Sequence, residues 1–136
     1  MEKWYQKSHY RNLIDMHIAD SEDGLLSRFD ANAYAELLAY AGFDTAYIYA
    51  SNCLGLCFYP TKTGKRHPAA LSRDLFGETV AAVTARGIRP VGYLNFWSTA
   101  CYDSHPNWRV VGRKRNGQRD FAGHAGRYGV LCPNSP

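Results

Sequence analysis

Long apolar runs are absent from this 136-residue sequence. A membrane-spanning helix needs about 20 consecutive apolar residues, and no run approaches that length. The N-terminus, MEKWYQKSHYRNL, also lacks the apolar stretch of roughly 7 to 15 residues that defines a secretory signal peptide. Because the length is also close to that of one average domain, we predict a single cytoplasmic domain with no membrane partner.

Cysteine is scarce as well, with residues only at positions 53, 57, 101 and 132. Without a secretion signal, these do not predict a disulfide framework. Cys53 and Cys57 have a spacing that zinc permits, but a structural zinc site needs a second pair of ligands, and Cys101 and Cys132 are isolated. The sequence therefore predicts free buried thiols and no cofactor or metal.

The sequence has little excess charge of one sign. Its 16 Lys and Arg residues against 12 Asp and Glu residues give a formal net charge of +4 at pH 7. Most of the excess lies in WRVVGRKRNGQRDF, where Asn116-Gly117 separates two polar half-strands. Asn-Gly is typical of a type I′ hairpin, because both central residues take positive φ. We therefore predict a solvated hairpin and no nucleic-acid partner. A small zinc or nucleic-acid-binding protein is the least favoured alternative.

Strand and helix signals alternate along the chain. Residues 11–20, 44–51 and 88–97 are rich in the apolar, β-branched and aromatic residues of strands. Between them, Asp30 and Asp74 are good N-caps for two helices that each end at a glycine. In the first helix, helical spacing predicts an apolar face made of Tyr34, Leu37, Leu38 and Ala41.

This alternation predicts an α/β fold, since neighbouring parallel strands are joined by helical crossovers. No G-x-G-x-x-G follows the first strand, so a dinucleotide-binding fold has no support. We predict instead the N-terminal portion of a (β/α)₈ barrel, about three βα units.

The connections that follow the strands are long, whereas those that precede them are tight. Active sites of (β/α)₈ barrels are built from the long connections, at the carboxyl ends of the strands. The candidate substrate-binding residues are therefore the polar and aromatic side chains at those ends: Asp15, His17, Asn52, Tyr93, Asn95 and Trp97.

Two pairs of these residues suggest a carbohydrate ligand. Asp15 and His17 alternate along the first strand and so are expected on one side of it. Asn95 and Trp97 alternate in the same way and offer an amide and an aromatic platform, a combination common in sugar sites. Core packing is the competing interpretation for both pairs.

The sequence resembles the N-terminal third of the hypothetical glycosyl hydrolase 6 family, which is similar to the α-L-fucosidases and to β-galactosidase-type barrels. The similarity covers nearly the whole chain and is carried by WYQKSHYRNLIDMHIAD, FDANAYAELLAYAGFDTAYIYASNCLGLCFYPTKTGKRHP, RDLFGETVAAVTARGIRPVGYLNFW, HPNWRV and RYGVLCPNSP. The resemblance implies a glycoside hydrolase barrel that acts on O-glycosidic bonds.

The resemblance to fucosidases places His17 where that family contacts its sugar, and matches Gly55, Cys57 and Tyr59 in the loop after the second strand. Fucosidases carry a His-His-Asp run before this glycine, whereas this sequence has Asn52-Cys53-Leu54. Fucose specificity therefore does not follow from the resemblance.

Such a barrel needs about 250 residues, and the family's nucleophilic Asp is expected after a fourth strand, beyond CPNSP. Glycosidases need two carboxyl groups around the scissile bond, and the sequence offers no such pair. We therefore expect residues 1–136 to be one truncated barrel domain that contacts sugar without catalysis and self-associates through its exposed edges. The alternative is a stand-alone carbohydrate-binding α/β module.

Overall fold

A computed structural model describes residues 3–20, 24–113, 119–120 and 129–136. The helices within these residues are α1 (Ala31–Tyr40), α2 (Leu75–Ala85) and α3 (Thr99–Ser104), and three short 3₁₀ turns accompany them. The strands are β1 (Arg11–Leu13), β2 (Thr45–Tyr49), β3 (Leu56–Cys57), β4 (Lys65–Arg66), β5 (Arg89–Tyr93), β6 (Gly112–Arg113) and β7 (Arg119–Asp120).

The main sheet has the order β1-β2-β5, and both pairings are parallel. Each strand thus lies beside the next long strand along the chain, with α1 and α2 as the crossovers. The predicted mixed α/β fold is confirmed. The first strand is shorter than the predicted 11–20, because the Asp15 carboxylate accepts a hydrogen bond from the His17 N–H at 2.9 Å. This local turn satisfies the backbone without a neighbouring strand.

Both predicted helix starts are confirmed. Asp30 Oδ1 accepts hydrogen bonds from the N–H groups of Asn32 and Ala33 at 2.8 and 3.0 Å, and Asp74 Oδ1 accepts one from Gly77 at 2.8 Å. Each bond satisfies an amide that has no partner within its helix. Each cap therefore fixes the residue at which its helix begins.

The core between helices and sheet uses only part of the predicted face of α1, since Leu38 and Tyr34 pack in it, whereas Leu37 and Ala41 are exposed. Leu37 is 63% exposed, whereas Ala31, Ala35 and Leu38 are buried. Small alanine side chains let the helix lie close to the sheet, so they occupy the interface and the larger Leu37 faces outward. The core cluster consists of Ala31, Ala35, Leu38, Ala46, Ile48, Ala82, Val83 and Ile88.

Two glycines allow the loop after β2 and the C-terminal segment to approach Ser98. Gly55 has φ +77°, and a Cβ built on it would lie 2.6 Å from Ser98 Cβ and 2.7 Å from Ser98 Cα. A Cβ on Gly129 would lie 2.6 Å from the Ser98 carbonyl oxygen. Only glycine fits at these positions, so the loop after β2 and the start of α3 form a close backbone contact.

The short helix α3 follows the segment after β5 and contains Asp103. Its N-cap Ser98 accepts a hydrogen bond from the Cys101 N–H at 3.3 Å. The predicted hairpin pairing is confirmed by the antiparallel β6 and β7, while the Asn116-Gly117 turn lies outside the described residues.

None of the described helices is long and apolar enough to cross a membrane. Self-association and a cytoplasmic location stay predictions.

Asp44 ties the N-terminal segment to the start of β2. Its carboxylate accepts hydrogen bonds from the Ser8 hydroxyl at 2.7 Å and from the N–H groups of His9 and Tyr10 at 2.7 and 2.9 Å. These bonds, led by the one from Tyr10, hold the pKa of Asp44 far below its ordinary value of 3.8.

Because the pKa of Asp44 is depressed in the folded state, the hydrogen bonds that its carboxylate accepts are predicted to be sensitive to acid. Their contribution to the free energy of unfolding is fully present above the unfolded-state pKa of about 4 and is lost as the pH falls towards the folded-state pKa. We expect urea denaturation between about pH 5 and pH 2 to show a smaller loss of unfolding free energy in Asp44→Asn than in the unchanged protein. Asp103→Asn, which alters an exposed carboxylate, is the control and should keep the original pH dependence. An unchanged slope in Asp44→Asn would contradict the prediction.

Candidate functional site

The carboxyl ends of β1, β2 and β5 meet at one edge of the sheet, because all three strands are parallel. Asp15 and His17 follow β1, Asn52 follows β2, and Tyr93 is the last residue of β5. Most of the predicted site residues therefore converge on this edge from different parts of the chain. We call it the carboxyl edge.

Asp15, His17 and Tyr49 form the polar centre of this edge. Asp15 Oδ1 accepts a hydrogen bond from the Tyr49 hydroxyl at 3.2 Å, in addition to the one from the His17 N–H. The Nε2 atom of His17 lies 3.9 Å from the same oxygen. The Asp15 side chain is 71% exposed and that of His17 is 28% exposed, so both are accessible to a ligand.

The imidazole of His17 has a defined orientation. Its Nδ1 accepts a hydrogen bond from the Cys53 N–H at 3.0 Å. A neutral imidazole that accepts at Nδ1 carries its proton on Nε2. His17 therefore presents an N–H donor beside the Asp15 carboxylate, and the two groups together can bind neighbouring hydroxyl groups.

Tyr49 and Tyr93 form an aromatic base beneath His17. Their rings are stacked with centroids 4.2 Å apart and an interplanar angle of 18°, and the His17 ring makes edge contacts with both at 5.2 and 6.0 Å. The register of the sheet explains the stack, since Tyr49 and Tyr93 are directly paired. Burial, with the nearby charge of Asp15, raises the pKa of Tyr49 to about 12.

Tyr49 is a site residue that the sequence analysis missed. It lies within a run of strand-forming residues, TAYIY, and so reads as an ordinary buried strand position. Strand alternation from Tyr47, together with its place as the last residue of β2, would have assigned Tyr49 to the carboxyl edge.

Asn52 has no exposed surface and its amide is used within the chain. Its Oδ1 accepts hydrogen bonds from the N–H groups of Leu54 and Leu56 at 2.9 and 3.0 Å, and its Nδ2 donates to the Ile18 carbonyl at 2.7 Å. In this structure Asn52 shapes the loop after β2 and holds the segment after β1. The predicted contact of Asn52 with substrate stays a prediction.

His67 assists Asn52 in holding the segment after β1. It is 1% exposed, its Nδ1 accepts a hydrogen bond from the Ala69 N–H at 3.1 Å, and its Nε2 lies 3.1 Å from the Ala19 carbonyl oxygen. Acceptance at Nδ1 makes Nε2 the donor to Ala19. Two buried polar side chains therefore fix residues 14–20, which have no strand partners, next to the site.

Asn95 and Trp97 continue from β5 along the same edge. The Asn95 N–H donates to Ser51 Oγ at 3.2 Å, and Asn95 Oδ1 accepts from the Trp97 N–H at 2.9 Å. Trp97 is 38% exposed. Asn95 and Trp97 are thus connected to the loop after β2 through Ser51. His17, in contrast, contacts both Asp15 and Tyr93 directly.

Apolar side chains surround a cavity that Tyr49 also lines. This cavity has a volume of about 450 Å³, and its wall includes Met16, Phe29, Phe58 and Phe76. Two polar groups of its wall are engaged elsewhere, since Tyr34 donates to Asn12 and Thr79 donates to the Leu75 carbonyl. A sugar needs several hydrogen-bonding partners, so the carboxyl edge suits a carbohydrate better than this cavity.

Cys53 and Cys57 are buried, and Cys101 and Cys132 are half-buried. The described residues contain no group of three or more His, Cys, Asp and Glu side chains that could hold a metal ion. Cys53 contributes to the site through its backbone, by the hydrogen bond to His17.

Comparison with known families and structures gives a consistent result. The sequence profile described as hypothetical glycosyl hydrolase 6 matches residues 30–136. The chain is similar in structure to α-L-fucosidase isoenzyme 2 from Paenibacillus thiaminolyticus, with a TM-score of 0.77 and 19% identity over 95% of this chain and 20% of the fucosidase. At this identity the likeness is one of fold.

Two further fucosidases match over about half of the chain. A GH29 α-L-fucosidase from Bacteroides thetaiotaomicron is 30% identical over 48% of this chain and 15% of its own, with a TM-score of 0.44. The Thermotoga maritima α-fucosidase is 28% identical over 52% and 17%, with a TM-score of 0.46. The chain thus spans a fifth or less of the length of these enzymes. No curated protein sequence matches the chain significantly.

Proposed function

Since the chain belongs to the hypothetical glycosyl hydrolase 6 family, we propose that it forms part of the sugar-binding face of a glycoside hydrolase. In this proposal the three parallel strands and their helices are the N-terminal βα units of a (β/α)₈ barrel. The ligand is a carbohydrate, bound at the carboxyl edge by Asp15, His17, Tyr93, Asn95 and Trp97, with Asn52 in support.

The observation that carries the proposal is the position of His17 and Asp15. An imidazole N–H donor and a carboxylate acceptor lie within 3.9 Å of each other, above the stacked rings of Tyr49 and Tyr93. Adjacent donors and acceptors beside aromatic rings suit a sugar, which has hydroxyl groups around an apolar C–H face. In barrels of this type the substrate lies at the same end of the strands.

We further propose that these 136 residues bind sugar without hydrolysing it. Retaining and inverting glycosidases both use two carboxyl groups, about 5 to 5.5 Å or about 6.5 to 9.5 Å apart. The described residues that converge on the carboxyl edge include one carboxylate, Asp15. Activity on fucosides or galactosides thus requires a further carboxylate beyond this group.

Sugar binding by the 136-residue chain tests the proposal. We expect saturable binding of L-fucose or D-galactose in calorimetry, and at least about tenfold weaker binding in His17→Ala and in Trp97→Ala, since each removes a direct contact. Matched controls are His9→Ala and Trp4→Ala, because both residues lie near the amino ends of the strands. Equal losses in site and control variants, or no binding by the unchanged chain, would contradict the proposal.

The competing function is a stand-alone carbohydrate-binding module. It predicts the same binding but needs no barrel partner. Turnover of 4-nitrophenyl α-L-fucoside or β-D-galactoside by a longer protein that contains this chain favours the hydrolase, and binding without turnover in that longer protein favours the module.

A further inference from the structure

The carboxylate of Asp15 is held by one backbone and one side-chain hydrogen bond, although its own segment lacks strand hydrogen bonds. β1 ends at Leu13, and the Asp15 side chain is 71% exposed. Its Oδ1 accepts hydrogen bonds from the His17 N–H and the Tyr49 hydroxyl. Its Oδ2 makes no hydrogen bond to another described residue. One oxygen is therefore fixed by the protein, and the other is available to a ligand.

Tyr49 is the rigid partner in this contact. It is 6% exposed, its ring stacks on Tyr93, and it packs in a buried cluster with Phe58, Ala70 and Leu75. The position of its hydroxyl is thus set by the core, whereas Asp15 without that hydroxyl would keep only the hydrogen bond from the His17 N–H, which belongs to the same exposed segment. Through this hydrogen bond, the fixed position of Tyr49 restricts the exposed carboxylate of Asp15.

We infer that Tyr49 is the positioning residue of the carboxyl edge. Its hydroxyl fixes Asp15 Oδ1, so that Oδ2 accepts one hydroxyl of a ligand while the Nε2–H of His17 donates to a neighbouring hydroxyl. This inference rests on the proposed sugar binding and adds to it a residue that does not itself touch the ligand. The paired acceptor and donor select ligands that carry adjacent hydroxyl groups.

The protonation state of Tyr49 is compatible with this role. Its pKa is raised to about 12, so the hydroxyl keeps its proton and remains a donor across the range in which the protein is handled. Burial is the main cause, and the charge of Asp15 adds to it.

A double-mutant cycle separates positioning from direct contact. Calorimetry with L-fucose and, in parallel, D-galactose compares the unchanged chain with Tyr49→Phe, Asp15→Ala and the double variant. We expect Tyr49→Phe to weaken binding about fivefold, as the loss of one hydrogen bond would. In the Asp15→Ala background the same change should have no further effect. Additive losses would overturn the inference, because they would mean that Tyr49 acts independently of Asp15.

A second measurement does not depend on the sugar. With ¹³C-labelled aspartate, the side-chain carboxyl signal of Asp15 should move in Tyr49→Phe while the backbone amide signals of β2 stay in place. Tyr47→Phe is the control, since Tyr47 lies on the same face of β2 and its hydroxyl has no hydrogen bond to another described residue. An unchanged Asp15 signal would overturn the inference. If the unchanged chain binds neither sugar, the proposed function fails, and the carboxyl signal alone decides whether Tyr49 holds Asp15.

Discussion

Gly55→Ala is expected to lower the free energy of unfolding by about 2–5 kcal/mol. A left-handed backbone costs a residue with a Cβ about 1–2 kcal/mol, and overpacking adds about 1–3 kcal/mol. Both costs apply at Gly55, where φ is +77° and a Cβ would lie 2.7 Å from the Ser98 Cα. The backbone of Ser98 is also confined by Gly129, so it has little freedom to move away. Urea denaturation monitored by circular dichroism measures the loss.

Gly42→Ala provides the matched control. Gly42 has φ +80°, and a Cβ on it would meet nothing within 4 Å. This variant therefore bears only the cost of the backbone conformation, about 1–2 kcal/mol. If Gly55→Ala and Gly42→Ala lose the same stability, the close contact between Gly55 and Ser98 does not exist in the folded protein.

Asn52→Ala is expected to cost about 3 kcal/mol of stability and to weaken sugar binding as well. The change removes three hydrogen bonds, each worth about 1 kcal/mol, and leaves the N–H groups of Leu54 and Leu56 without their acceptor. It also releases the Ile18 carbonyl, one residue from His17. Denaturation gives the first effect, and calorimetry with L-fucose or D-galactose gives the second.

Asn95→Ala is the control for the loss of stability. Asn95 is half-buried, and its side chain accepts one hydrogen bond, from the Trp97 N–H. We expect a loss of about 1 kcal/mol or less in this variant. A similar loss of stability in Asn52→Ala and Asn95→Ala would show that the buried amide does not organise the loop after β2.

Local signals were sufficient to predict the strand and helix order. Asp30 and Asp74 begin α1 and α2 because their short carboxylates reach amides only two or three residues away. The glycines that follow these helices, Gly42 and Gly87, have φ of +80° and +74°. Such features depend on a few neighbouring residues, and therefore they can be predicted from the sequence.

Features that depend on distant contacts were not predictable in this way. Alternation placed Asp15 and His17 on a long first strand, whereas the strand ends at Leu13 and a local turn follows. The hydroxyl of Tyr49 bonds to Asp15 and the amide of Asn52 bonds to Ile18, and each pair is 34 positions apart. For Tyr49 and Asn52 the deciding partner lies far along the chain.

The way in which residues 14–20 are held has a consequence for the order of folding. The bonds that fix this segment join residues 34, 36 and 48 positions apart: Asn52 with Ile18, Cys53 with His17, and His67 with Ala19. Contacts across such separations form late, because loop closure has to be completed first. In a growing polypeptide His17 therefore acquires its orientation only after residue 53, which lies 36 positions further along the chain, has left the ribosome.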